Sequence, residues 1–188
     1  PGLTGLKYDP TLAKQLLSES KYANADNRPP ITISVPGTGR NIGLDLQVII
    51  DMWSQVLGVK VDLQQAEWAT YLQDLNRSKF QAFAGIGWEA DYPDPQDFLD
   101  ILFHSDSSIN HGQYSNPNVD SILEQARVEQ DVTKRTKLYR QAEEIIVSDA
   151  PWIPLWYQGE RYALIKPHVK GYQLTPMVIP KMRQVFFE

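Results

Sequence analysis

The chain has 188 residues, 42% hydrophobic and 22% charged, a composition that fits a globular domain with a sizeable core. Its net charge of −5 is spread along the sequence without a basic stripe to neutralise phosphates, which argues against a nucleic-acid partner. Cysteine is absent, which excludes disulfides, thiolate chemistry and cysteine-ligated metal; the longest apolar run, residues 150–157, holds two prolines and falls far short of the roughly 20 residues that span a bilayer.

Asp9-Pro10 is a helix start, because Asp can cap and Pro is tolerated at the first helical position. Leu12, Ala13, Leu16 and Leu17 share one face and predict a helix over 10–20. A polar loop over 23–30 ends in two prolines, and Ile31-Thr32-Ile33-Ser34-Val35 then alternates as a half-buried strand should. Gly37-Thr38-Gly39 turns the chain. Ile42, Leu46, Ile49, Trp53, Val56 and Leu57 keep helical spacing up to Gly58, which ends the helix.

Val59-Lys60-Val61-Asp62-Leu63 alternates again and predicts a strand. Trp68, Leu72 and Leu75 mark a short helix, and the apolar run 80–86 reads as a buried strand. A helix over 95–103 carries Phe98, Leu99 and Leu102, followed by a polar loop over 105–115. Asn116-Pro117 opens a helix with Val119, Ile122, Leu123 and Ala126 on its face, and Asp131 caps another on which Leu138, Ala142, Ile145 and Ile146 align. Residues 151–157 read as an edge strand, since their prolines forbid a central one, and a second strand is expected over 161–165. The Pro-rich tail from 167 alternates weakly over 183–187, and its apolar residues lack an obvious second layer. Strands and helices interleave, which is the α/β pattern. The start at Pro1, without an initiator Met or a signal-peptide pattern, is the start expected of a piece of something longer or of a processed product.

The run 80–86 ends in Gly87-Trp88-Glu89-Ala90-Asp91-Tyr92-Pro93-Asp94-Pro95, a stretch rich in aromatics and carboxylates and stiffened by two prolines. Other chemistries find less support. Gly37, Gly39 and Gly43 form GxGxxxG rather than GxGxxG, the next strand closes on Leu63-Gln64 without an acid, and no Lys-Ser or Lys-Thr pair follows, so neither a dinucleotide fingerprint nor a P-loop is present. His104, His111 and His168 lie outside any HExxH frame, and Asp91, Asp94, Asp97 and Asp100 lack EF-hand spacing, so no metal and no cofactor is expected. There is no GxSxG elbow. A carboxylate-based hydrolase could pair Glu89 with Asp91 or Asp94, as any acidic loop allows.

Binding suits the segment better. A carboxylate beside Trp and Tyr matches an ammonium group, with roughly 1.5–3 kcal/mol from a charge-assisted hydrogen bond and about 0.5–2 kcal/mol from a nearby aromatic face. The alternative is that Trp88 is core and Asp91 caps the turn, with Asp94 and Asp97 left to capping and solvent. Residue types alone leave both open.

The order of residues adds to this. Gly87 to Pro95 resembles the signature of the family 5 solute-binding proteins of ABC transporters, the peptide, dipeptide and nickel group. Tyr8-Asp9-Pro10 with Ala13-Lys14 and Leu16-Leu17, Leu57-Gly58-Val59-Lys60-Val61, and Tyr114-Ser115-Asn116-Pro117 with Asp120 are similar too. So are Arg135 with Leu138-Tyr139 and Ala142-Glu143, Asp149-Ala150-Pro151 with Ile153-Pro154-Leu155, and Val169-Lys170-Gly171.

The resemblance implies a type II periplasmic-binding-protein lobe, a mixed sheet flanked by helices. Residues 1–157 would form the C-terminal ligand-binding lobe, and 158–188 a return segment that completes the N-terminal lobe of a two-lobed protein. It also implies that Asp91 holds a peptide's α-ammonium, that Gly87, Trp88 and Glu89 lend backbone hydrogen bonds, and that Trp88, with Tyr92 beside it, walls the cleft. Some oligopeptide binders carry an Arg two residues before that Gly to pair the ligand's carboxylate; here the position is Gly85, which leaves ligand length and class open. The implied partners are a small peptide or another small solute, such as a nickel complex or an oligosaccharide, and ABC transporter permease subunits. The implied location is extracytoplasmic, periplasmic or lipid-anchored, and no enzymatic activity is expected.

Overall fold

The computed structural model describes residues 3, 5–24, 28–37, 39, 42–153, 155, 162–175, 177 and 179–188. These group into two compact units, Leu6–Ile86 and Pro1–Gly5 with Gly87–Glu188.

In the first unit, α1 (Pro10–Glu19) begins where Asp9 Oδ1 accepts the Leu12 N–H at 2.8 Å. The strands β1 (Ile31–Pro36), β2 (Val61–Ala66) and β3 (Ala82–Phe83) form a parallel sheet in the order β2-β1-β3. Central β1 holds Ile33, Ser34 and Val35 buried, so it carries this unit's sheet core. Parallel neighbours need crossovers, and α2 (Leu44–Leu57) and α3 (Trp68–Asn76) supply them. Gly58 ends α2 in the left-handed region at φ 62°, which its lack of a Cβ allows. Arg28 donates to the Leu57 carbonyl at 2.7 Å and to the Tyr22 carbonyl at 2.9 Å, tying the incoming loop to the end of α2. Tyr71 on α3 is fully buried; its hydroxyl donates to the Ala84 carbonyl at 3.1 Å, and burial pushes its pKa up to about 12.

Two sequence expectations shift here. The second strand runs two residues later than its alternation suggests, with Val59 buried just outside the ladder. The run 80–86 is not a buried strand: only Ala82–Phe83 is strand, and it is half-buried. The ladder closes with the Ala84 N–H on the Ser34 carbonyl at 3.0 Å, and Gly85 at φ +80° then turns the chain away.

The second unit is built on α4 (Gln96–Phe103), α5 (Pro117–Val128) and α6 (Val132–Asp149). Asn116 Oδ1 accepts the Asn118 N–H at 3.0 Å with Pro117 in the first turn of α5, and Asp131 Oδ1 accepts the Lys134 N–H at 2.9 Å at the start of α6. Their apolar faces meet in one cluster of Leu99, Leu102, Phe103, Val119, Leu123, Ala126, Tyr139, Ala142 and Ile146. Trp152 packs edge-on against Phe103 at 5.1 Å. Asp149, at the last turn of α6, accepts from the Tyr114 hydroxyl at 2.6 Å and from Asn116 Nδ2 at 2.8 Å, which staples the loop before α5 to the end of α6.

In the tail, β4 (Val169–Lys170) and β5 (Phe186–Phe187) pair antiparallel. The expected edge strands are not formed at 151–153, 155 or 162–165; the remainder of both, and the expected lobe boundary at 157/158, lie outside the described residues. Parallel and antiparallel pairing flanked by helices make the α/β class with mixed sheets.

Leu123 makes no contact with solvent, whereas Leu164 is 94% exposed. Leu123→Ala is expected to destabilise its unit by about 2–5 kcal/mol through the cavity it leaves, and Leu164→Ala to change stability by less than about 0.5 kcal/mol. Urea unfolding followed by tryptophan fluorescence would compare them.

Candidate functional site

The acidic segment leading into α4 is built from four aspartates that have four different fates. Asp94 sits two residues before α4; its Oδ1 accepts the Gln96 N–H at 2.9 Å, and both oxygens receive Arg135 of α6 at 2.6 and 2.7 Å. Arg135 Nε also donates to the Ala126 carbonyl at 3.2 Å, so one guanidinium joins this loop, α5 and α6. Asp100 is buried on α4 and takes a two-pronged bond from Arg127 of α5, 2.6 Å on each oxygen.

Asp97 is 0% exposed. Its Oδ2 accepts the backbone N–H of Asp91 at 2.9 Å, while its Oδ1 has no hydrogen-bond partner among the described residues. Asp91 itself is exposed, and no described residue donates a hydrogen bond to its carboxylate.

The other candidates lie on the same stretch. Gly87 and Glu89 are exposed. Trp88 is half-buried, packs against the helical core, and has an indole Nε1 that is buried without a partner among the described residues. Ala90 forms a parallel bridge to Met177 of the tail, which holds the backbone one residue before Asp91. Tyr92 is half-buried, and its hydroxyl donates to Gln96 Oε1 at 3.0 Å. Burial raises the Tyr92 pKa, and the negative charges of Asp97, Asp94 and Asp100 raise it further, so it stays a neutral donor.

The cap of this turn is therefore Asp97 acting on the Asp91 N–H, rather than the Asp91 side chain. Of the capping and solvent expected for Asp94 and Asp97, Asp97 keeps the capping but not the solvent: it is buried in the first turn of α4. Asp94 does cap, at Gln96, and also carries the Arg135 pair. Arg127 and Arg135 were the missed partners. For Arg127 the signal is Asp100 set among Leu99, Leu102 and Phe103, an acid on the apolar face of a short helix that calls for a cation on a helix packed against it; Arg135 answers Asp94, which precedes α4.

Among the described residues, no group of three or more His, Cys, Asp or Glu is placed to hold a metal ion, and no helix is long and apolar enough to cross a membrane. The arrangement offers instead an exposed Asp91 carboxylate, uncommitted among the described residues, on a backbone braced by Asp97 and by the Ala90–Met177 bridge.

Comparison with known proteins bears on what such a site serves. The family model described as bacterial extracellular solute-binding proteins, family 5, matches residues 1–110. The chain belongs to this family. The periplasmic murein peptide-binding protein MppA of Escherichia coli is 35% identical over 163 residues, covering 87% of this chain and 29% of that protein. The probable deoxycholate-binding periplasmic protein YgiS of Escherichia coli is 43% identical over 122 residues, 65% of this chain and 22% of that one. Among solved structures, the ABC transporter-associated periplasmic binding protein DppA of Helicobacter pylori, in complex with the peptide STSA, matches with a TM-score of 0.80 at 29% identity, covering 100% of this chain and 36% of that chain. The chain thus spans between 22% and 36% of the length of these relatives.

For Asp94, burial pushes the carboxyl up, but the Arg135 hydrogen bonds, the Gln96 N–H and the Arg135 charge outweigh it and hold the pKa below its ordinary 3.8. A depressed folded-state pKa adds stability that is complete above that ordinary value and is lost as the pH falls through the lower one. Asp94→Asn is therefore expected to lower stability by about 1–3 kcal/mol at neutral pH and to lose less on further acidification than the parent. Urea midpoints measured from pH 7 down to pH 2 would show the two curves converging.

Proposed function

We propose that this chain forms one wall of the ligand cleft in a family 5 solute-binding protein that captures a short peptide outside the cytoplasm and delivers it to ABC-importer permease subunits. The observation that carries the reading is Asp91. Of the four aspartates in and after the motif it alone has an exposed, unpaired carboxylate among the described residues, while its backbone is braced by Asp97 and by the Ala90–Met177 bridge. A peptide's α-ammonium is the complementary charge. Exposed Gly87 leaves backbone groups for strand-like pairing with a peptide, and Trp88 with Tyr92 supplies the aromatic side of the site. The names of MppA and of the DppA complex, each with a peptide, agree with this reading.

In this reading residues 1–157 belong to the ligand-binding lobe and 158–188 return to complete the other lobe. Leu164, Ile179 and Phe187, each largely exposed, are the apolar residues such a lobe would cover. Closure of two lobes about a hinge would bury the ligand and present the closed form to the permease. The periplasmic location stated for MppA supports the extracytoplasmic setting, whether free or lipid-anchored.

A second reading, a non-peptide solute, draws on the similarity to YgiS and on Gly85, where some oligopeptide binders carry an Arg. Titration calorimetry on the full-length protein separates the two. Asp91→Ala is expected to weaken binding of a free-amine peptide by about 3 kcal/mol, more than a hundredfold, and to leave an N-acetylated peptide unaffected. Equal affinity of the variant and the parent for the free-amine peptide would overturn the amine site at Asp91, and no measurable binding of free-amine peptides by the parent would overturn the peptide reading. Residues 1–188 alone are expected to bind weakly or not at all; tight binding by them would overturn the single-wall reading.

A further inference from the structure

Asp97 is a costly residue to place where it is. It is fully buried, one of its oxygens is unpartnered among the described residues, and its single hydrogen bond there is to a backbone N–H six residues back. A buried carboxylate with half its capacity unused is destabilising relative to an apolar side chain of similar size, so the bond it does make calls for an explanation.

That bond ends on Asp91. Resting on the amine-site reading above, we infer that Asp97 is a positioning residue for ligand recognition, fixing the backbone of Asp91 so that its carboxylate stands ready for an ammonium group. The geometry supports a chain of fixed points. Asp97 rides in the first turn of α4, and its own N–H donates to the Asp94 carbonyl at 3.1 Å. Asp94 is clamped by Arg135. The Ala90–Met177 bridge holds the chain on the other side of Asp91. Asp91 is thus held at its N–H by Asp97 Oδ2 while its side chain stays uncommitted. A loop held this way presents its carboxylate without an ordering step on binding, and that preorganisation appears as affinity for the ammonium in particular.

The test uses the full-length protein and an equimolar mixture of a free-amine tripeptide library and the same library N-acetylated, with the retained ligands measured by native mass spectrometry. The parent is expected to retain the free-amine pool preferentially. Asp97→Ala is expected to cut that preference about tenfold, and Asp97→Asn, which keeps an acceptor oxygen at the same reach, to restore most of it. Asp97→Ser, too short to reach the Asp91 N–H, serves if the Ala variant does not fold and is expected to show the same loss. If either variant lowers thermal stability and retention of both pools alike, with the preference unchanged, Asp97 is merely structural and the inference is overturned. Asp91→Asn separates the two readings. A preference abolished by Asp91→Asn but untouched by Asp97→Ala sinks only the positioning role. A preference unmoved by Asp91→Asn, or retention of neither pool by the parent, sinks the amine site and the positioning role with it.

Discussion

A short helix that turns two carboxylates into a hydrophobic cluster must find donors for them, and the second compact unit is arranged around that requirement. Asp97 and Asp100 lie on the same face of α4 as Leu99, Leu102 and Phe103. Arg127 answers Asp100 from α5, and Arg135 answers Asp94 from α6 while also capping the Ala126 carbonyl. Replacing such pairs with apolar residues is often neutral or stabilising, but removing one partner leaves a charge stranded. What the pairs supply is register: a guanidinium fork accepts a carboxylate in few orientations, so three helices and one loop are held in one arrangement.

The acidic loop inherits that order. Pro93 and Pro95 fix φ on either side of Asp94, and the Arg135 pair fixes Asp94 itself. Asp97 then reaches back to the Asp91 N–H, and Tyr92 locks onto Gln96. Each carboxylate after Asp91 is committed to the scaffold. Among the described aspartates of this segment, only Asp91 keeps an exposed and uncommitted carboxylate.

Much of this was legible in the sequence where a local rule decides the outcome. Asp9, Asn116 and Asp131 each cap the helix they were expected to cap, and Gly58 ends α2, because capping depends on residues three or four apart. The apolar faces of α5 and α6 followed from helical periodicity and meet in the core. Non-local facts were not legible. The true extent of β3 depends on the turn at Gly85 and on which β1 groups remain to be paired. The burial of Asp97 depends on α5 and α6 closing over α4, which periodicity within α4 alone does not report. The pairing of 169–170 with 186–187 joins two stretches too short to carry an alternation of their own. Within the motif, residue types leave open the choice between Trp88 as core and Trp88 as cleft wall, and the packing gives it a share of the first: the side chain packs against the helical core while the residue remains partly exposed.

Gly85 carries a consequence for how ligand preference can change. Its φ of +80° is one that side-chain-bearing residues rarely adopt, and a Cβ there would stand 2.9 Å from Cδ of Pro36. Installing at this position an Arg to receive a ligand's carboxylate is consequently not a one-step exchange: both the left-handed turn after β3 and the proline ring at the end of β1 would have to give way together. A side chain of any kind at position 85 therefore requires two coupled changes, and a new charge on this loop is introduced with less strain at a neighbouring position than at 85.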